Sequence, residues 1–386
     1  MLRKPLIMII ATLLILAIIL GIGVYPIFQQ QPQNDQQQDG NDQQSLTVWS
    51  YSFHRDMERT GYSTSAGPLT NQTLWIHPTQ MQIEYCSPAV VDGIAYFGSN
   101  DHRVRAVNAS TGNLIWSYLT GNSVESSCTV SDGIVYFGSH DYNVYALDSL
   151  TGDKVWNFTT KDEVYSTPAV VDGVVYVGSN DNSLYALDAA SGSKIWDYLT
   201  SNNVWSSPAV VNGVIYVNSH DTAYALNAAT GNRIWSFFAW GPIYSSSAVV
   251  NGRVYFGASN SIYALDAKNG EKIWNYTTMD RVESSPAVAN NMVYIGSDDN
   301  NVYALNATTG TKIWSYKTGN EVNGSPTVAN DIVYIGSKDL NVYALNATTG
   351  AKIWSYTTGN WIESTPSVAN GILYIGSNDA KVYAFG

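Results

Sequence analysis

An all-β fold, an eight-bladed propeller of four-stranded antiparallel blades preceded by one membrane-spanning helix, is the architecture this sequence predicts. Three observations predict it. NVYALNATTGTKIWSYKTGN at 301–320 returns at 341–360 as NVYALNATTGAKIWSYTTGN, so the chain repeats itself. A tryptophan after an aliphatic residue recurs at Trp75, Trp116, Trp156, Trp196, Trp235, Trp274, Trp314 and Trp354, with spacings of 41, 40, 40, 39, 39, 40 and 40. An uninterrupted apolar run occupies 5–28, behind Arg3 and Lys4. A fixed period near ~40 residues signals stacked supersecondary units.

Each unit reads as four short strands. In 282–316, VESSPAVAN is strand A, NMVYIGS strand B, NVYAL strand C and TKIWSY strand D. Val, Ile, Tyr and Trp fill the strands, and turn formers stand between them. The A–B turn carries Asp-Gly or Asn-Gly at Asp92-Gly93, Asp132-Gly133, Asp172-Gly173, Asn212-Gly213 and Asn251-Gly252, as a tight hairpin requires. Gly310 closes the C–D turn and is expected in a left-handed conformation. The SPAV and YxGS markers also count eight. One blade cannot cover both its faces, so stacking round an axis buries them, with the repeated tryptophans in the seams. The chain ends after strand C at KVYAFG, and TLWIH (73–77) reads as a D strand that precedes any A strand. Pairing the two completes the eighth blade and latches the ring.

The remaining organisation follows from composition. Residues 1–4 form a cytoplasmic stub, 5–28 an uncleaved signal-anchor and 29–45 a polar, Gln-rich linker. About 20 apolar residues suffice to cross a bilayer, and the preceding positive charge orients the C-terminal part outside the cytoplasm. Residues 46–72 lie outside the repeat count and are expected to brace the ring, leaving 73–386 as the propeller. The net charge of −12 and pI near 4.7 argue against nucleic acid as a partner.

The unit SPAV–DG–VYxGS–VYAL–TGxxxW resembles the quinoprotein-type, PQQ-like propeller repeat, and RTGYS…GP (59–68) is similar to the stretch before that family's first blade. The resemblance implies the fold. It also implies two kinds of function: alcohol or sugar dehydrogenases that bind pyrroloquinoline quinone and calcium, and cofactor-free, protein-binding members of the outer-membrane assembly lipoprotein B type.

The residues themselves favour binding over catalysis. In a propeller, the D–A and B–C loops surround one mouth of the central channel. The position before each Ser pair varies against a constant background, as Glu84, Glu125, Tyr165, Trp205, Tyr244, Glu283, Asn323 and Glu363. It reads as an aromatic arc facing an acidic one, suited to a cationic side chain, a sugar or a peptide. Trp240 and Trp361, in D–A loops, are expected to extend the aromatic wall.

The repeated Asp101, Asp141, Asp181, Asp299, Asp339 and Asp379 suggest a turn role, since a catalytic Asp is expected to be singular. His140 and His220 share a repeat position two blades apart, too distant for a metal pair. No nucleophile elbow, phosphate loop or HExxH motif occurs. Cys86 and Cys128 lie in adjacent A strands, where a disulfide is permissible outside the cell but strand spacing opposes it. N-x-S/T acceptors stand at Asn71, Asn108, Asn157, Asn275, Asn306 and Asn346. The expectation is therefore a membrane-tethered extracellular module without cofactor that recognises protein. Surface glycan binding and quinone-dependent oxidation are the alternatives.

Overall fold

The computed structural model describes His54 and residues 56–386. The stub, the signal-anchor, the linker and the start of the brace lie outside the described residues. No helix among those described is long and apolar enough to cross a membrane.

Eight antiparallel sheets form among the described residues, each built from strands A to D of one repeat. Blade 1 comprises Ala89–Val91, Ile94–Ser99, Arg103–Asn108 and Leu114–Leu119, and blades 2 to 7 follow in chain order. Blade 8 comprises Ser367–Ala369, Ile372–Ser377 and Lys381–Phe385, with Thr73–Pro78 as its outer strand. Trp75 there opposes Ala384. The N-terminal strand therefore closes the ring as the sequence predicts, and the A strands of blades 8 and 1 touch.

Strand A is shorter than expected. In blade 6 it covers only Ala287–Ala289, not the whole of VESSPAVAN. The strand is equally short in blades 2 and 5, where Cys128 and Ser247 stand in place of Pro286, so the missing proline N–H is not the cause. The residues ahead of the strand bond elsewhere: Ser285 N donates to Ser325 Oγ of the next blade, and Ser284 Oγ accepts from Gly296 N of its own blade.

The tryptophans occupy the seams. Trp314 Nε1 donates to the Ala347 carbonyl of the next blade at 2.8 Å, and Tyr294 Oη donates to the same oxygen at 3.2 Å. That carbonyl thus uses both lone pairs, one on each aromatic donor. The pair recurs round the ring. At the last seam, where blade 8 has no C–D turn of its own, Pro68 O accepts from Trp354 at 3.2 Å and Tyr334 at 2.8 Å. Gly310 has φ +72°, and a Cβ there would stand 2.7 Å from the Trp274 ring. The glycine is needed for both its conformation and its closeness to the indole.

The brace does more than support the ring. Its backbone crosses four successive A strands. Met57 O accepts from Val210 N, Glu58 O from Val249 N, Thr60 O from Val288 N and Gly61 O from Val328 N. Tyr62–Ser63 then pairs in parallel with the A strand of blade 7. Arg59 fills the channel axis. Its Nε donates to Pro208 O at 3.0 Å, and one terminal nitrogen to Thr167 O at 3.1 Å and Pro168 O at 3.3 Å. Arg59 is 0% exposed, so this end of the channel is sealed.

Candidate functional site

The other end of the channel is open. Between the D–A and B–C loops lies a blind funnel of about 360 Å³. Its lower wall is a belt of hydroxyls. Ser87 N donates to Ser127 Oγ at 2.8 Å, Ser127 N to Thr167 Oγ1 at 3.1 Å, and Thr167 N to Ser207 Oγ at 3.0 Å. The pattern continues through Ser246, Ser285 and Ser325, and Thr365 N donates to Ser87 Oγ at 3.2 Å. These hydroxyls tie blade to blade, which is why they scarcely vary.

One step nearer the mouth stands the varying ring. Glu125, Tyr165, Trp205, Tyr244, Glu283, Asn323 and Glu363 all line the funnel. Glu84 does not; Tyr85 takes that place in blade 1. Counted back from Pro88, Tyr85 is the true repeat equivalent, because Cys86 replaces the first serine of the pair and obscures the register. Glu84 sits beside the mouth, accepting from Gln82 and Asn100 side chains at 3.0 Å each. Tyr85 therefore interrupts the expected run of acidic and amide positions.

The aromatic arc is contiguous. Trp205 and Tyr244 are stacked, with centroids 5.3 Å apart and planes at 13°. Tyr165 leans on the His140 imidazole at 4.1 Å, and Trp205 meets His220 edge-on at 6.1 Å. Blades 4 and 5, which bear Trp205 and Tyr244, are also the units one residue short. Their B–C turns hold two residues, His220-Asp221 and Ser259-Asn260, where blade 6 holds three.

Trp240 and Trp361 are not brought into the funnel lining. Trp361 stands higher on the rim, where Lys338 Nζ lies 5.3 Å from its ring. Trp240 is 87% exposed at an outer loop tip and packs edge-on against Phe238. Loop membership was legible, but height within the loop was not.

The acidic side is partly compensated. Glu363 accepts from Asn378 at 2.8 Å and pairs with Lys338 at 3.2 Å, which also reaches Glu321 at 3.0 Å. Arg281 lies 3.4 Å from Glu283. Burial, reinforced by Glu84, Glu163 and Glu363, pushes the Glu125 carboxyl up to about 8. Burial, together with Glu283 and Glu321, pushes Asp298 up to about 7. Burial lowers the His140 imidazole, so it is neutral at pH 7 and its 3.8 Å contact with Glu125 is no ion pair.

The repeated aspartates serve the loops. Asp339 Oδ2 accepts from Gly319 N at 2.6 Å and from Tyr343 Oη at 2.6 Å, and its counterparts repeat the arrangement. In blade 1, Arg105 replaces the tyrosine and forks onto Asp101. Cys86 and Cys128 are free, buried thiols. Cys86 Sγ accepts from Gly98 N at 3.0 Å, the place held by Ser126, Ser206, Ser245, Ser284 and Ser364 elsewhere. No group of His, Cys, Asp or Glu among the described residues is arranged to hold a metal ion.

Comparison with known proteins follows this geometry. Among solved structures, the quinohemoprotein alcohol dehydrogenase of Comamonas testosteroni superposes with TM-score 0.74 at 16% identity, covering 87% of this chain and 80% of that one. BamB from Moraxella catarrhalis gives 0.70 at 19% identity, covering 81% and 99%. The computationally designed Ika8 protein gives 0.73 at 18% identity, also covering 81% and 99%. At such identities the likeness is one of fold. No curated protein matches the sequence. The repeat family does match, over residues 63–166, 151–244 and 220–385, and the chain belongs to the family described as outer membrane protein assembly factor BamB.

Proposed function

We propose that this protein is a membrane-tethered, non-catalytic binding module that holds its propeller outside the cytoplasm and recognises a protein partner at the funnel. The observation that carries the reading is the contrast within one channel. A constant belt of hydroxyls ties the blades, and directly above it a ring of side chains differs from blade to blade. Variation on an invariant frame is how a rigid scaffold presents a binding surface. The apolar run at 5–28 supplies the tether, and membership of a family named for outer-membrane assembly agrees with a place at a membrane.

The quinone-dependent alternative is a poor chemical match. Pyrroloquinoline quinone is a tricarboxylate, and among the described residues no lysine or arginine lines the funnel, whereas Glu283 and Glu363 do, joined by Glu125 once it ionises. Such a lining repels a polyanion. Calcium needs six to eight oxygens about 2.3–2.6 Å away, and the glutamates stand on separate blades.

The test is photo-crosslinking from the full chain in membranes, with a benzoyl-phenylalanine in place of Tyr85, an exposed funnel-lining residue outside the aromatic panel, and a control at Leu150, an exposed C–D turn residue of blade 2. Discrete protein adducts from position 85 and none from 150 are expected. Adducts that vanish on glycosidase treatment would move the reading to glycan. The absence of any adduct from position 85 would remove the funnel as a binding site.

A further inference from the structure

Seven acidic side chains, Glu84, Glu125, Glu163, Glu283, Asp298, Glu321 and Glu363, gather at the funnel mouth against two cations, Lys338 and Arg281, and burial holds Glu125 and Asp298 partly protonated at neutral pH. Both cations are already engaged by carboxylates. Acidity alone does not define a site, but the amides at the same mouth point the same way. Asn323 is 6% exposed and lines the funnel. Its Nδ2 donates to Glu283 Oε2 at 2.8 Å, which fixes the amide's orientation, and its Oδ1 has no partner. Asn180, also in the lining, likewise leaves Oδ1 unpartnered. A buried acceptor without a donor is costly, its neighbours here supply none, and a small rotation of the amide would bring the oxygen from beneath the funnel surface to a ligand. On the two blades that precede that of Glu283 stands the Tyr244–Trp205 panel, whose electron-rich outer faces attract cations.

We propose that the funnel binds an N–H-donating alkyl cation, the guanidinium or ammonium head of a basic side chain or of a polyamine, between the Trp205–Tyr244 panel and the Glu283–Asn323–Glu363 arc. This rests on the reading of the funnel as a binding site and names its ligand chemistry. The acceptors call for N–H donors, so a quaternary ammonium satisfies the charge and the aromatic panel but not Asn323. The sealed end offers an internal precedent. There the chain's own Arg59 guanidinium satisfies the carbonyls of Thr167, Pro168 and Pro208.

The test titrates the full chain in detergent micelles by calorimetry. The probes are a blocked arginine-containing hexapeptide, its glutamate counterpart, spermidine and tetramethylammonium. The expected result is one-to-one binding of an N–H-bearing cation, with the glutamate peptide silent and tetramethylammonium weaker. Peptide binding alone identifies a protein side chain as the source, and spermidine alone a free polyamine; either supports the shared chemistry. Glu283→Gln and Asn323→Leu, each checked by thermal melting, should weaken binding by about tenfold. Equal binding of the glutamate peptide, or tetramethylammonium binding as tightly as spermidine and the arginine peptide, would overturn the proposal. So would the absence of cation binding at millimolar concentration. If crosslinking from position 85 nevertheless persists, only the cation chemistry falls; if it is absent too, the binding reading falls with it.

Discussion

The two ends of the central channel are built on the same eightfold frame and treated in opposite ways. At one end the chain fills the axis with its own segment, and the A-strand N–H groups of blades 4 to 7 bond to that segment's carbonyls. Arg59 donates to the carbonyls of Thr167, Pro168 and Pro208, of which Pro168 also accepts from Thr129 Oγ1. At the other end, amide acceptors and carboxylates remain around a cavity of about 360 Å³. Folding alone explains the first end. The second retains uncompensated polar groups that packing does not require, and that is the mark of a surface left for a partner.

The largest effect should come from opening the sealed end. Arg59→Met takes the donor from the Thr167 and Pro208 carbonyls, while Pro168 keeps Thr129 Oγ1, and should cost about 3 kcal/mol in denaturant unfolding. Trp205→Ala at the open end should stay within about 1 kcal/mol while abolishing ligand binding. If both variants lose the same stability, the contrast between the ends is broken.

A smaller effect separates the repeated loop residues from the varying ring. Tyr343→Phe removes the 2.6 Å bond to Asp339 and should cost about 1 kcal/mol in the same assay, leaving ligand affinity unchanged.

Glu125 sharpens the comparison through pH. Its carboxyl is raised from the ordinary 4.5 to about 8 in the folded protein. The folded state thus binds the proton more tightly than the unfolded one between these values. The associated stability is fully present below pH 4.5 and lost as pH rises through 8. Glu125→Gln should therefore raise the melting temperature by several degrees at pH 9, and by less at pH 5. Cation binding by the wild type should strengthen from pH 6 to pH 9, as Glu125 and Asp298 ionise.

The smallest effect belongs to Cys86→Ser. A hydroxyl there reproduces the acceptor found in five other blades, so the change should stay within about 0.5 kcal/mol by thermal unfolding.

Much of this was legible because it repeats. The seam tryptophans, the paired turns, Gly310 and the turn aspartates each appear several times, and repetition separates signal from composition. The non-repeating features were harder to read. Residues 46–72 offered nothing to count against, so a brace was foreseeable but Arg59 on the axis was not. Blade 1 was misread by one residue because Cys86 disguises its serine pair, which substituted Glu84 for Tyr85. Trp240 and Trp361 share a loop class but differ in height, and height is set by hydrogen bonds between loops. Lys338 N bonds to Glu321 O, Asn378 N to Trp361 O and Ser259 N to Pro242 O, which fixes Trp361 at the rim and leaves Trp240 at the outer tip.

The most direct test is a crystal structure of the protein grown with the arginine-containing hexapeptide. The account predicts a guanidinium in the funnel, within hydrogen-bond distance of Asn323 Oδ1 and facing the Trp205 ring, with Arg59 unmoved at the opposite end. Peptide bound along a blade edge or at the plugged end, with the funnel empty, would contradict it.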